Sequence, residues 1–247
     1  MENTKKITPQ LWAKKALSAA KSNPIVVLLA IVSIIVGFFV ENFFSWGNLG
    51  NLISNTAIRF IIALGVSGCL ITKGTDLAAG RQVGLAACLA GALVQRGDYT
   101  GRLWKGVPEM SMWLVLLIVV AVGICIGLIN GIIIAKLKVP PFIATLGTQT
   151  IIYGICLVFT DAQPIGGFQK KYISLITGRI GSTKGFYIPY FFFIALFFGV
   201  IFWFIYNKTC HGKYMYAIGG NEVAAEVSGV NTTATLIRIY ATAGFMY

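Results

Sequence analysis

The run from Met110 to Ala135 carries no charged residue. The runs at 139–160 and 185–207 are equally free of charge. A bilayer's hydrocarbon core takes ~20 apolar residues per helix. Segments of this kind have no stable home in a water-soluble fold, so they commit the chain to crossing a membrane. The composition agrees, with 57% hydrophobic and only 11% charged residues, against about 25% charged in soluble domains.

Further apolar runs place spans at Ile25–Val40 and at roughly 49–72, 77–95, 111–135, 141–160 and 186–206. A partial run extends from about 233 to the end. The expected fold is an all-α polytopic transmembrane helix bundle with six complete spans and a partial seventh. Arg59, Lys73, Asp76 and Arg81 interrupt the pair between 49 and 95, which makes that region the irregular part of the bundle. Ile25–Val40 is followed by Glu41 and no small-residue cleavage site, so it reads as an uncleaved helix.

The net charge of +12 does not imply nucleic-acid binding, because the basic residues are scattered between apolar spans with no patch interleaved with aromatics. It reads instead as a bias between membrane faces. Five lysines precede the first span and place the N-terminus in the cytoplasm. Twelve basic residues then fall inside (Lys5, Lys6, Lys14, Lys15, Lys21, Lys73, Arg81, Lys136, Lys138, Lys208, Lys213, Arg238). Seven fall outside (Arg96, Arg102, Lys105, Lys170, Lys171, Arg179, Lys184), and Arg59 lies within a span. Residues 1–23 are a cytoplasmic basic segment. Leu11–Ser22 reads equally well as an amphipathic helix on the lipid surface or as a basic tail.

The five cysteines are isolated and the single histidine is His211. No ligand spacing is present, so buried thiols without a disulfide framework and no metal site are expected.

Thr72–Leu85, TKGTDLAAGRQVGL, is the oddest intramembrane segment. Gly74 is expected to break the preceding helix, Thr75 or Asp76 to cap the next, and Arg81 follows. Charge at membrane depth is usually internal and functional, and broken helices persist where backbone lines a cavity. The plainer reading has Asp76 capping a helix at the interface while Arg81 snorkels to headgroups. Both readings stand at this point. Gly123, Gly127 and Gly131 repeat every fourth residue, and Gly80–Gly84 repeats that spacing; both are expected to seat neighbouring helices. Asn130 on the same span is a pore-facing polar group or an interhelical hydrogen bond.

Asn207–Thr232 lies between two apolar runs, on the cytoplasmic side by the span count. Gly219-Gly220 is expected to break the chain, Asn221 to cap a helix, and Glu222 to occupy its first turn. Gly229 is expected to stop that helix in the left-handed conformation. The result is a two-turn helix, Glu222–Ser228, with Val223, Ala224 and Val227 on one face. Such a helix has little stability of its own and suits a partner.

No GxSxG elbow and no GxxxxGK[ST] phosphate loop occurs, so ATP binding by a P-loop is not expected in this chain. Three blocks, RFIIALGVSGCLITKGTDLAAGRQVGLAA (59–87), VPPFIATLGTQTIIYG (139–154) and YAIGGNEVAAEVSGVN (216–231), resemble permease subunits of bacterial ABC sugar importers of the ribose/galactose type. The GTDLAAGRQVGL wording is similar to the galactose/methyl galactoside branch. The resemblance implies a family fold of roughly ten helices, with residues 24–247 as its transmembrane permease domain in the bacterial inner membrane. It implies a second copy of the permease, ABC ATPase subunits inside and a periplasmic sugar-binding protein outside. ATP and Mg would then belong to the partner subunit, with no cofactor in this chain.

Gly219, Gly220, Asn221, Glu222, Ala224, Ala225 and Gly229 would form the ATPase-coupling loop. Gly74, Thr75, Asp76, Gly80, Arg81, Gln82 and Asn130 would border the translocation pathway. The family's closing helices are missing from the sequence, so the chain reads as incomplete at its C-terminus. A cation-coupled secondary sugar transporter using Asp76, a membrane-embedded enzyme and a non-functional permease fragment are the alternatives.

Overall fold

A computed structural model describes residues 22–181 and 186–247. The reading of Leu11–Ser22 as a surface helix or basic tail falls almost wholly outside them. Among the described residues the chain is predominantly helical. Helix α1 is Pro24–Phe39, α2 Trp46–Ile71, α3 Ala79–Leu93, α4 Met112–Lys136, α5 Pro141–Thr160 and α6 Lys170–Ile176. Strands β1 (Arg179–Gly181) and β2 (Tyr187–Pro189) follow, then α7 Tyr190–Lys208, α8 Cys210–Gly220, α9 Glu222–Val227 and α10 Thr232–Met246.

Local chemistry sets most of the starts. Ser45, Ser111, Thr209, Asn221 and Asn231 each accept a backbone N–H from the first turn of the helix that follows, which satisfies one of the orphan donors of a helix N-terminus. Pro24 and Pro141 occupy first-turn positions, where proline's missing N–H costs nothing.

Helices α2, α4, α5 and α7 are long and apolar enough to cross a membrane. The runs expected at 25–40 and 77–95 form shorter helices of 16 and 15 residues. In the second case the reason is visible, because residues 72–78 are spent on a non-helical segment. The stretch after Asp161 contains α6 and an antiparallel β1–β2 ribbon pairing Ile180 with Ile188.

Helix α10 is packed between α2 and α4. The glycine stripe of α4 makes this possible: a Cβ at Gly123 would lie 2.3 Å from the carbonyl oxygen of Gly244, and one at Gly131 2.9 Å from the Cα of Ile237. Cys69, Ile134, Met215, Ile239 and Tyr240 fill the core around this contact. The second stripe behaves differently. Nothing lies within 4 Å of a Cβ built at Gly80 or Gly84, so in this chain those glycines seat no helix. Both face outward from α3.

Cross-chain hydrogen bonds sort the connections into two ends. At one end Lys73 meets Gly220, Leu77 meets Thr145 and Lys138 meets Glu222. At the other, Gln95 Nε2 donates to Gly166 O, and Tyr187 Oη donates to Asn51 Oδ1.

Candidate functional site

The first end gathers the broken segment 72–78, the α4–α5 turn and the α8–α10 loop. Helix α2 stops at Thr72 by a Schellman motif: Lys73 N–H donates to Leu70 O, and Gly74 N–H donates to Cys69 O. The left-handed residue is Lys73, at φ +58°, and not Gly74 as the sequence suggests. Gly74 serves a close approach instead, since a Cβ there would lie 2.6 Å from Tyr240 Oη. A non-glycine residue in the left-handed region costs about 1–2 kcal/mol, so the lysine is held there by its surroundings.

Asp76 is 7% exposed. Its Oδ1 accepts from Ala78 N at 2.9 Å and its Oδ2 accepts from Tyr247 Oη at 3.0 Å. It bends the backbone as an Asx turn ahead of α3, whose N-cap is Ala78 with no side-chain bond. Thr75, exposed beside it, offers its carbonyl to Thr145 Oγ1 at 3.2 Å. That same hydroxyl accepts from Leu77 N, so α5 props the break open from one side. Arg81 does not pair with Asp76. It points the other way, with its guanidinium carbon 4.1 Å from the centroid of the Tyr153 ring, a cation–π contact.

Gln82 is 3% exposed, and neither its amide nitrogen nor its oxygen has a partner. It lines a cavity of about 310 Å³ together with Gly123, Phe191 and Tyr247. Asn130, wholly buried, accepts from Thr148 Oγ1 across the α4–α5 contact, and its amide nitrogen is unpartnered. Of the seven residues expected along a pathway, Gly74, Thr75 and Asp76 form the break. Arg81 and Gly80 face outward, Gln82 faces the cavity and Asn130 a helix contact.

The loop helix forms as its local signals require. Asn221 Oδ1 accepts from Ala224 N at 3.0 Å, and Gly229 has φ +87°. Gly229 N–H donates to Glu226 O and Val230 N–H to Ala225 O, a second Schellman motif. The expected break at Gly219-Gly220 is not there, because α8 runs through both glycines and the chain turns at Asn221 (φ −154°). Gly219 is needed for contact: a Cβ there would lie 2.0 Å from Ile71 O. Ala225 is 4% exposed and packs inward, whereas Val223 and Val227 are 71% and 86% exposed. Glu222 lies 3.3 Å from Lys138. Among the described residues no cluster of three His, Cys, Asp or Glu could hold a metal ion.

Sequence reasoning missed Thr145, Tyr247, Lys73 and Lys138. Thr145 and Tyr247 carry no local signal, since each acts on a segment about seventy or more residues away. The lysines had one: each follows the last turn of a long helix, where a cation suits the dipole.

Four apolar helices of membrane-spanning length, a glycine stripe that seats α10 on α4, a chain break at a buried carboxylate and an exposed short helix on one loop describe a polytopic helical membrane protein. Residues 48–246 match the family described as branched-chain amino acid transport system / permease component, and the chain belongs to this family of multi-pass membrane permeases. It is similar to the galactose/methyl galactoside import permease protein of Escherichia coli K12, at 45% identity over 95% of this chain and 70% of that one. It is 42% identical to the protein so named in Haemophilus influenzae, over 96% of this chain and 71% of that one. The ribose import permease protein of Bacillus subtilis is 36% identical over 89% of this chain and 62% of its own length. No solved structure matches the chain. Since the family's description and the relatives' names differ in cargo, the family match speaks to the permease scaffold and not to what is carried.

Proposed function

We propose that this chain is the permease subunit of an ATP-driven importer for a monosaccharide of the galactose/methyl galactoside kind. It works beside ABC ATPase subunits, a periplasmic sugar-binding protein and a second copy of itself, with its N-terminus in the cytoplasm. ATP and Mg belong to the ATPase. The observation that carries the reading is the pair Val223 and Val227, exposed on a helix capped at both ends. A six-residue helix contributes almost nothing on its own, so a side this apolar and this well defined serves a groove on another protein. We assign α9 and its flanks, Gly219 to Gly229, as the ATPase-coupling element.

The path for sugar is assigned to the surroundings of the break, bordered by Gly74, Thr75, Asp76, Gly80, Arg81, Gln82 and Asn130. Arg59, exposed near the middle of α2 with Asn55 one turn before it, calls for a polar covering over that face of α2. An arginine at the centre of a lipid-facing helix costs ~2.5–3.5 kcal/mol on insertion scales. A second copy facing it across an aqueous path removes that cost.

The test is uptake of labelled methyl β-galactoside into proteoliposomes holding this chain with the ATPase, and binding protein outside. Uptake is expected only with ATP inside the nucleotide-accessible compartment. Uptake that follows a proton or sodium gradient and ignores ATP overturns the proposal.

A further inference from the structure

The α8–α9 turn is gripped from two sides by lysines whose own backbones are left-handed. Lys73 follows α2 at φ +58°, and Lys138 follows α4 at φ +54°. Lys73 Nζ donates to the carbonyl oxygen of Gly220 at 3.1 Å, and Lys138 Nζ donates to Glu222 Oε1 at 3.3 Å. Between these two contacts stands Asn221, the one extended residue between two helices. One lysine holds the residue before the joint and the other holds the residue after it.

Glycine is the residue that takes a left-handed backbone at least cost, and at position 73 it would keep the Schellman bonds to Leu70 and Cys69. What glycine cannot supply is an ammonium group. Non-glycine residues held in this region point toward function when the side chain makes a contact of its own, and here two such residues converge on one turn. Both side chains are solvent-exposed, and exposed polar pairs add little to folding stability. Fold stability therefore does not account for them.

We propose that Lys73 and Lys138 are positioning residues that form a two-point brace across the Asn221 joint. The brace carries displacement of α9 into the ends of α2 and α4. Without it, a push on Val223 and Val227 is absorbed by rotation at Asn221. With it, the push reaches α2 at Lys73, three residues before Asp76, and α4 at Lys138, eight residues after Asn130. Gly219, seated on Ile71 O, adds a steric stop beside the Lys73 contact. The proposal rests on α9 being the ATPase-docking helix.

The experiment replaces each lysine by glycine, singly and together, in the full chain assembled with its ATPase and binding protein in proteoliposomes. Glycine relieves the left-handed backbone and removes the exposed side chain with its ammonium, so thermal stability is expected to be kept or raised and co-purification of the ATPase to be unchanged. Sugar moved per ATP hydrolysed is expected to fall about fivefold or more in the double variant, the scale of an allosteric coupling, and Lys73→Arg is expected to retain most of it. A double variant that transports sugar at the parental ratio overturns the brace. So does one that melts earlier or sheds the ATPase, since that makes the lysines structural. A Val223→Glu/Val227→Glu variant separates the two levels: if it keeps the ATPase, the docking assignment has failed, not the brace alone.

Discussion

The backbone oxygen of Tyr240 occupies the space in which any residue other than glycine at position 127 would place its side chain: a Cβ there would lie 2.2 Å away. Helices α4 and α10 touch backbone to backbone at this point. Gly127→Ala is therefore expected to lower stability by about 1–3 kcal/mol, the scale of overpacking. Gly84→Ala, in the open stripe of α3, is expected to be neutral or to stabilise by up to about 1 kcal/mol through helix propensity. Thermal unfolding in detergent compares them, and equal effects at the two positions would contradict the packing described.

Neighbouring residues of α9 should respond in opposite ways. Val223→Glu is expected to change stability by no more than about 0.5 kcal/mol, as surface substitutions do, while abolishing co-purification of the ATPase. Ala225→Arg, at a buried position, is expected to cost about 3–5 kcal/mol as an unpaired buried charge. If Val223→Glu unfolded the protein and Ala225→Arg did not, the helix would be rotated from the orientation described.

Tyr247 and Asp76 should be energetically coupled. Removing the hydroxyl in Tyr247→Phe takes a hydrogen bond from a buried carboxylate, with an expected loss of about 1–3 kcal/mol. Adding Asp76→Ala to that variant should cost less than Asp76→Ala alone, because the shared bond is already gone. A double-mutant cycle on unfolding midpoints measures the coupling, and a value near zero would refute the contact.

His211 sits at the start of α8, where partial burial and the nearby Arg238 push its pKa below the ordinary 6.5. The folded state thus binds a proton less readily than the unfolded one. That difference does not matter above the ordinary value, and it removes stability as the pH falls through and below it. Unfolding midpoints are expected to decline from about pH 6.5 downward, and His211→Gln should flatten that part of the profile. An unchanged slope in the variant would assign the acid sensitivity elsewhere.

What the sequence determined by itself is what depends on neighbours along the chain. Runs free of charge specify helices in a bilayer, because each backbone group must be satisfied within its own segment there. The helix Glu222–Val227 was legible from Asn221 and Gly229, since caps act over four residues. The glycine stripe of α4 announced a packed face, though it could not name α10 as its occupant. The tertiary structure decided everything that joins distant segments. It turned Ala225 inward and left Val223 and Val227 outside, laid Arg81 over the Tyr153 ring, and brought Lys73 within reach of a carbonyl 147 residues away. It also made Gly74 and Gly219 contact points where the sequence suggested breaks. Periodicity fixes which residues share a helix face but not the rotation of that face toward other helices. That rotation is settled only when the backbones pack.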